Sequence, residues 1–115
     1  MIVNLTPHAI VVNGHTFPPC GIVARVEQTV SELLETVEVN GVQIPIYSTG
    51  KLHDVVGLPT PDGETRYIVS LAVGEALKGT GRHDLLTPGT GPHDSPVRDE
   101  RGQIVAVTRL KQVTP

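Results

Sequence analysis

Arg66–Gly91, RYIVSLAVGEALKGTGRHDLLTPGTG, is the stretch around which the chain is organised. It opens on Tyr67-Ile68-Val69, the most apolar run in the protein, which reads as a buried strand. Ser70 breaks that run. Val73, Ala76 and Leu77 follow at helical spacing, and Gly79 stands where a helix would stop. Two glycine-flanked polar loops then carry Arg82, His83 and Asp84. A strand that turns through a serine into a short helix, with a charged loop beside it, is a plausible binding apparatus.

The rest of the composition agrees with a sheet. At 115 residues the chain is read as a single domain, 1–115. Valine and isoleucine dominate its apolar set, and Phe17, Tyr47 and Tyr67 are its only aromatics. β-Branched residues favour strands, and twelve Gly with ten Pro imply many turns. Asn13-Gly14 and Asn40-Gly41 are strong two-residue hairpin signals. Ile22–Val30 alternates as a half-exposed strand, and Pro45 marks an edge strand or a bulge. Ser31–Thr36 reads equally as a capped helical turn, an extension of a strand or a loop. Val97-Arg98 and Gln103–Leu110 form a last hairpin, and the tail Gln112–Pro115 is expected to fray. The expected fold is α+β, mainly β: a compact antiparallel sheet or small partly open barrel of six to eight short strands, with one short helix after Ser70.

Charge and cysteine usage narrow the partners. A net charge of −3 makes no case for nucleic acid or an anionic membrane. Arg25 is the only Lys or Arg among the first fifty residues, so an anion site is expected in the second half. Cys20 stands alone, which leaves no internal disulfide. No apolar run approaches a membrane span, and the start does not resemble a signal peptide. The expected location is the cytoplasm.

Several residues could carry chemistry. Ser70 can cap the helix, and the orphan N–H groups behind it can receive a phosphate or carboxylate. Arg82 can make forked bonds to such a group. Its loss is expected to abolish binding with little effect on melting. Asn4, Thr6 and His8 surround a break between two short strands, where they serve turn chemistry or read a ligand. Tyr67 is a candidate for stacking on a base. Asp84 suits a ribose hydroxyl, and Arg98 lies at the base of a hairpin. His53-Asp54, His83-Asp84 and His93-Asp94 are residue types that bind metals, although sequence neighbours on a strand point to opposite faces.

Taken in order, Asn4-Leu5-Thr6-Pro7-His8, Gly57-Leu58-Pro59, Tyr67-Ile68-Val69-Ser70, Gly81-Arg82 with Asp84, Pro88-Gly89, and Val97-Arg98-Asp99-Glu100 with Gly102 resemble a family of small bacteriophage and actinobacterial proteins of similar length. The resemblance covers nearly the whole chain. It departs at His83 and at a longer Thr90–Ser95 segment. It implies a phage accessory protein, and by analogy of class one that acts against host defence. The leading expectation is a binding protein, with no catalytic group, cofactor or metal, that sequesters a small anionic nucleotide-like ligand through Asn4, Thr6, His8, Tyr67, Ser70, Arg82, Asp84 and Arg98. A homo-oligomer would enclose that ligand more fully. The alternatives are a small phosphodiesterase-like hydrolase using His53, His83, Asp84 and His93, and a virion or protein-interaction module.

Overall fold

A computed structural model describes residues 1–28, 31–48 and 52–115. The organising stretch forms β8 (Arg66–Ile68), then α1 (Leu71–Ala76), then β9 (Leu85–Pro88). Tyr67 pairs with Leu85 and Ile68 with Leu86, in parallel. A parallel pair needs a crossover of about a dozen residues or more, and α1 with its following loop supplies it. β1 (Ile2–Asn4) lies parallel to β8 on its other side, and β12 (Leu110–Gln112) lies antiparallel to β9. The resulting four-stranded sheet has the order β1-β8-β9-β12.

Among the described residues, four two-stranded ribbons accompany this sheet. β2 (Ile10–Val12) pairs with β3 (His15–Phe17), and β5 (Leu33–Val39) pairs with β6 (Val42–Tyr47). Both are hairpins on Asn-Gly, whose residues take the positive φ that the mirror-image turn demands: 49° and 83° at Asn13-Gly14, 50° and 80° at Asn40-Gly41. β4 (Arg25–Gln28) pairs with β7 (Leu52–Val56), and β10 (Val97–Arg98) with β11 (Ile104–Ala106).

Ile68 and Leu86 are buried in the central sheet, and a core cluster joins that sheet to α1. Leu5, Ala24, Tyr67, Val69, Val73, Leu85 and Val113 form it, with Val3, Val26, Val55, Leu58 and Leu77 packed on its margin. α1 lies across β9, β4 and β7, and Val73 is its buried contact. Gly74 faces the sheet so closely that a Cβ there would come within 2.7 Å of the Thr87 methyl.

The class is α+β, mainly β, with one short helix, as expected. Three particulars differ. Among the described residues there are twelve strands instead of six to eight, because the chain spends its strands on several small ribbons. The central sheet is mostly parallel, because the helix crossover dictates strand direction there. The tail is docked: Val113 is buried and donates to the Leu85 carbonyl, and the Thr114 carbonyl accepts from Gly79. Leu33–Val39 resolves the ambiguous segment as a strand. Thr29 and Val30 of the expected strand, and Thr49, Gly50 and Lys51, lie outside the described residues. No helix among the described residues is long and apolar enough to cross a membrane.

Candidate functional site

Asn4 ends β1 and is 2% exposed. Its amide nitrogen donates to the His8 and Phe17 carbonyls at 2.8 and 2.9 Å. Its amide oxygen accepts from the Thr6 amide at 2.9 Å and the Thr6 hydroxyl at 2.7 Å. Two donors and two acceptor positions are thereby filled. Asn4 and Thr6 together tie the first strand to the β2–β3 hairpin. His8 lends its carbonyl to that network, and its side chain is exposed.

Arg82 is engaged in the same way. Its Nε donates to Asp84 Oδ1 at 2.8 Å, and its Nη2 donates to Asp84 Oδ2 at 2.8 Å and to the Pro59 carbonyl at 3.0 Å. The fork holds the Asp84 carboxyl below the usual carboxylate range, chiefly through the Arg82 hydrogen bonds. Asp84 in turn raises the Arg82 guanidinium above its already high value. Both side chains are mostly buried, at 18% and 14% exposure. They border a hollow of about 310 Å³ with Pro61, Glu64, Thr65 and Arg66.

Ser70 caps α1 as expected, accepting from the Val73 amide at 3.3 Å. It belongs to a different and larger hollow, about 850 Å³ in volume, open to solvent and walled by Thr6, Pro7, Val23, Ala24, Arg25, Val26, Ser70, Ala72 and Val73. The structure thus sets the Ser70 and Arg82 side chains on separate hollows. The charged residue lining this hollow is Arg25, in the half of the chain where no anion site is expected. Arg25 is exposed and makes no ion pair among the described residues. Its signal in the sequence was its place in a valine-rich strand whose neighbours Ala24 and Val26 turn inward.

The remaining expected residues are dispersed. Tyr67 is 7% exposed and packs in the core. Arg98 donates to the Gly102 carbonyl at 2.7 Å across the β10–β11 turn. Asp94 accepts from the Gly91 amide at 2.9 Å, which is the main reason its carboxyl is lowered, and from Lys111 Nζ at 3.3 Å. Among the described residues no three of His, Cys, Asp and Glu stand together as a metal site. The side chain of His53 lies outside the described residues.

Five of the six fragments that carry the resemblance therefore have a task in the fold. Asn4-Leu5-Thr6 is the buried knot with exposed Pro7 and His8 beside it, Tyr67–Ser70 is core strand and helix cap, and Arg82 with Asp84 is the fork. Gly57 lies so close to Val23 that a Cβ would meet its carbonyl oxygen at 2.3 Å. Asp99 closes the last turn by accepting from the amides of Arg101 and Gln103. No family model matches the chain, and neither a curated protein nor a solved structure shows significant similarity to it.

Proposed function

We propose that the protein is a phage accessory protein that binds and sequesters a small anionic nucleotide-derived ligand, such as a signalling nucleotide of host defence, without transforming it. The observation that carries the reading is the hollow shared by Arg25 and Ser70. Its volume of about 850 Å³ falls within the few hundred to about 1,000 Å³ typical of small-molecule sites. Its walls divide the work such a ligand needs. The Arg25 guanidinium offers a planar fork to a phosphate. The Ser70 hydroxyl adds a polar contact, and Val23, Ala24, Val26, Ala72 and Val73 offer apolar surface to a base. Because the hollow opens to solvent, a second subunit laid over its mouth would enclose the ligand. The reading therefore includes a homo-oligomer in the host cytoplasm.

The test is retention. The protein is incubated with cyclic dinucleotides, cyclic trinucleotides and ADP-ribose-type nucleotides, desalted, heated, and the supernatant chromatographed. Intact nucleotide released on heating is the expected result. Arg25→Ala should weaken the retained nucleotide at least about tenfold, because a charge-assisted fork is lost, with the melting temperature unchanged. Retention of none of these nucleotides, or equal retention by Arg25→Ala, would refute the site. Release of a cleaved product would favour the hydrolase.

A further inference from the structure

A second hollow, of about 360 Å³, lies between α1 and the β9–β12 side of the central sheet. Leu71, Gly74, Glu75 and Lys78 line it from one side of α1, whereas Ser70, Ala72 and Val73 line the Arg25 hollow from the other. Thr87 of β9 and Lys111 of β12 are strand partners and line it together, since partners share a face. Gly91 and Asp94, from the loop after β9, complete the wall. Gly74 lets the helix come down onto Thr87, whose methyl a Cβ at that position would strike.

Two oxygens in this wall have no use in the fold. Asp94 is 5% exposed and Thr87 is 9% exposed. Asp94 Oδ2 takes both of the carboxylate's bonds, from the Gly91 amide at 2.9 Å and from Lys111 Nζ at 3.3 Å. Among the described residues, Asp94 Oδ1 and the Thr87 hydroxyl have no hydrogen-bond partner, yet no side-chain polar atom sealed from solvent lacks one. These two oxygens therefore keep contact with open space, and the open space beside both residues is the hollow. Nearly buried oxygens left unpaired destabilise a fold unless something in the hollow pairs them.

The charges in the wall select the occupant. Glu75 pairs with Lys78 at 2.9 Å, and Asp94 pairs with Lys111 at 3.3 Å. The four cancel, so the hollow favours neither an anion nor a cation. What remains is an acceptor at Asp94 Oδ1, donors on Lys111 Nζ, and a Thr87 hydroxyl that can do either. A hydroxyl is neutral, and its one oxygen can donate to a carboxylate while accepting from an ammonium. A second hydroxyl on the neighbouring carbon can then reach Thr87. We propose that this hollow is a second binding site, for a neutral polyol of one sugar ring, held through vicinal hydroxyls by Asp94, Lys111 and Thr87. Leu71, Pro88 and Val113 give apolar surface to the C–H face of the ring. The volume stands near the low end of the range of about 300–1,000 Å³ for small-molecule sites, which suits one ring and not a chain of them. The site is independent of the Arg25 hollow.

Amide chemical shifts of the full chain test it, with D-glucose, D-galactose, D-mannose, D-ribose, N-acetyl-D-glucosamine and myo-inositol each titrated to about 50 mM; a Kd of about 5 mM or tighter is expected for at least one. The shifts should centre on Thr90, Gly91, Gln112 and Val113, which line the hollow. Thr87→Val keeps the shape of the side chain and removes the hydroxyl. It should weaken binding of that sugar at least about fivefold, and it should melt at or above the wild-type temperature because no hydrogen bond of the fold is lost. Asp94→Asn should weaken binding as well. Arg25→Ala should leave the titration unchanged, which separates this site from the nucleotide reading. A phosphorylated form of the sugar should bind no more tightly than the neutral form. No shift with any of these sugars at about 50 mM overturns the proposal. So does a sugar that binds Thr87→Val as tightly as wild type, or a phosphorylated form that binds more tightly than the neutral one.

Discussion

Replacing Arg82 by alanine tests whether this arginine holds the fold. The change removes two bonds to Asp84 and one to the Pro59 carbonyl. It also strands a carboxylate whose side chain is 14% exposed. Removing one member of a fully buried pair costs about 3–5 kcal/mol, and hydrogen bonds to charged groups contribute about 1.5–3 kcal/mol. Water reaches part of this pair, so the expected loss is about 2 kcal/mol, or about 8 °C in Tm for a chain of this length. The pH dependence follows from the lowered Asp84 carboxyl. A depressed carboxylate stabilises the fold fully above its unfolded value, about 4, and that contribution disappears as pH falls through the lower folded value. The gap between wild type and Arg82→Ala should be widest near pH 7 and should close below about pH 4. Circular-dichroism melts from pH 7 to pH 3 measure it. A variant that melts within about 1 °C of wild type at pH 7, or a gap that persists unchanged to pH 3, would refute a structural fork.

Asn4→Ala leaves Thr6 and two carbonyls without their partner, and should cost about 3 kcal/mol or more in urea unfolding; a loss below about 1 kcal/mol would show that water replaces the knot. Gly57→Ala combines φ +82° with a 2.3 Å approach to the Val23 oxygen; it should cost about 2–4 kcal/mol, and an unchanged unfolding midpoint would contradict that close approach. Asp62 accepts from the amides of Glu64 and Thr65 and from the Thr65 hydroxyl, and its carboxyl is pulled down to about 2. Its carboxyl carbon should titrate by NMR near that value, with its stabilising effect present above about pH 4 and lost as pH falls through about 2; a midpoint near 4 would mean the turn is not formed. Ser70→Ala should cost no more than about 1 kcal/mol, because the cap is a long one; a loss of several would point to a further role.

The hairpins and the organising strand were legible because their signals are local. Asn-Gly demands a particular backbone, and Tyr67-Ile68-Val69 has no polar position to leave exposed. Ser70 as a cap was legible for the same reason. Strand direction was not, because β1, β8 and β9 pair across long separations and carry no local mark of orientation. Leu85–Pro88 was hidden behind a glycine-rich loop, and its neighbour Asp84 read as a free polar group. The pairing of Arg82 with Asp84 lies two residues apart, yet only the Pro59 carbonyl and the burial around it make the fork persist. A count of charge by chain half hides Arg25, whereas the fold brings Arg25 and Ser70 to one hollow.

β1 also imposes an order on biosynthesis. Its mate, Ile2 to Arg66, is translated more than sixty residues after it. While the ribosome works through the intervening ribbons, the amino terminus can dock only on the β2–β3 hairpin and the residues just after it, so the asparagine knot closes onto a strand still without its neighbour in the sheet. The central sheet can assemble only once β8 has left the exit tunnel, so maturation of this small protein is a late event, slow for its size because its decisive contacts span the chain.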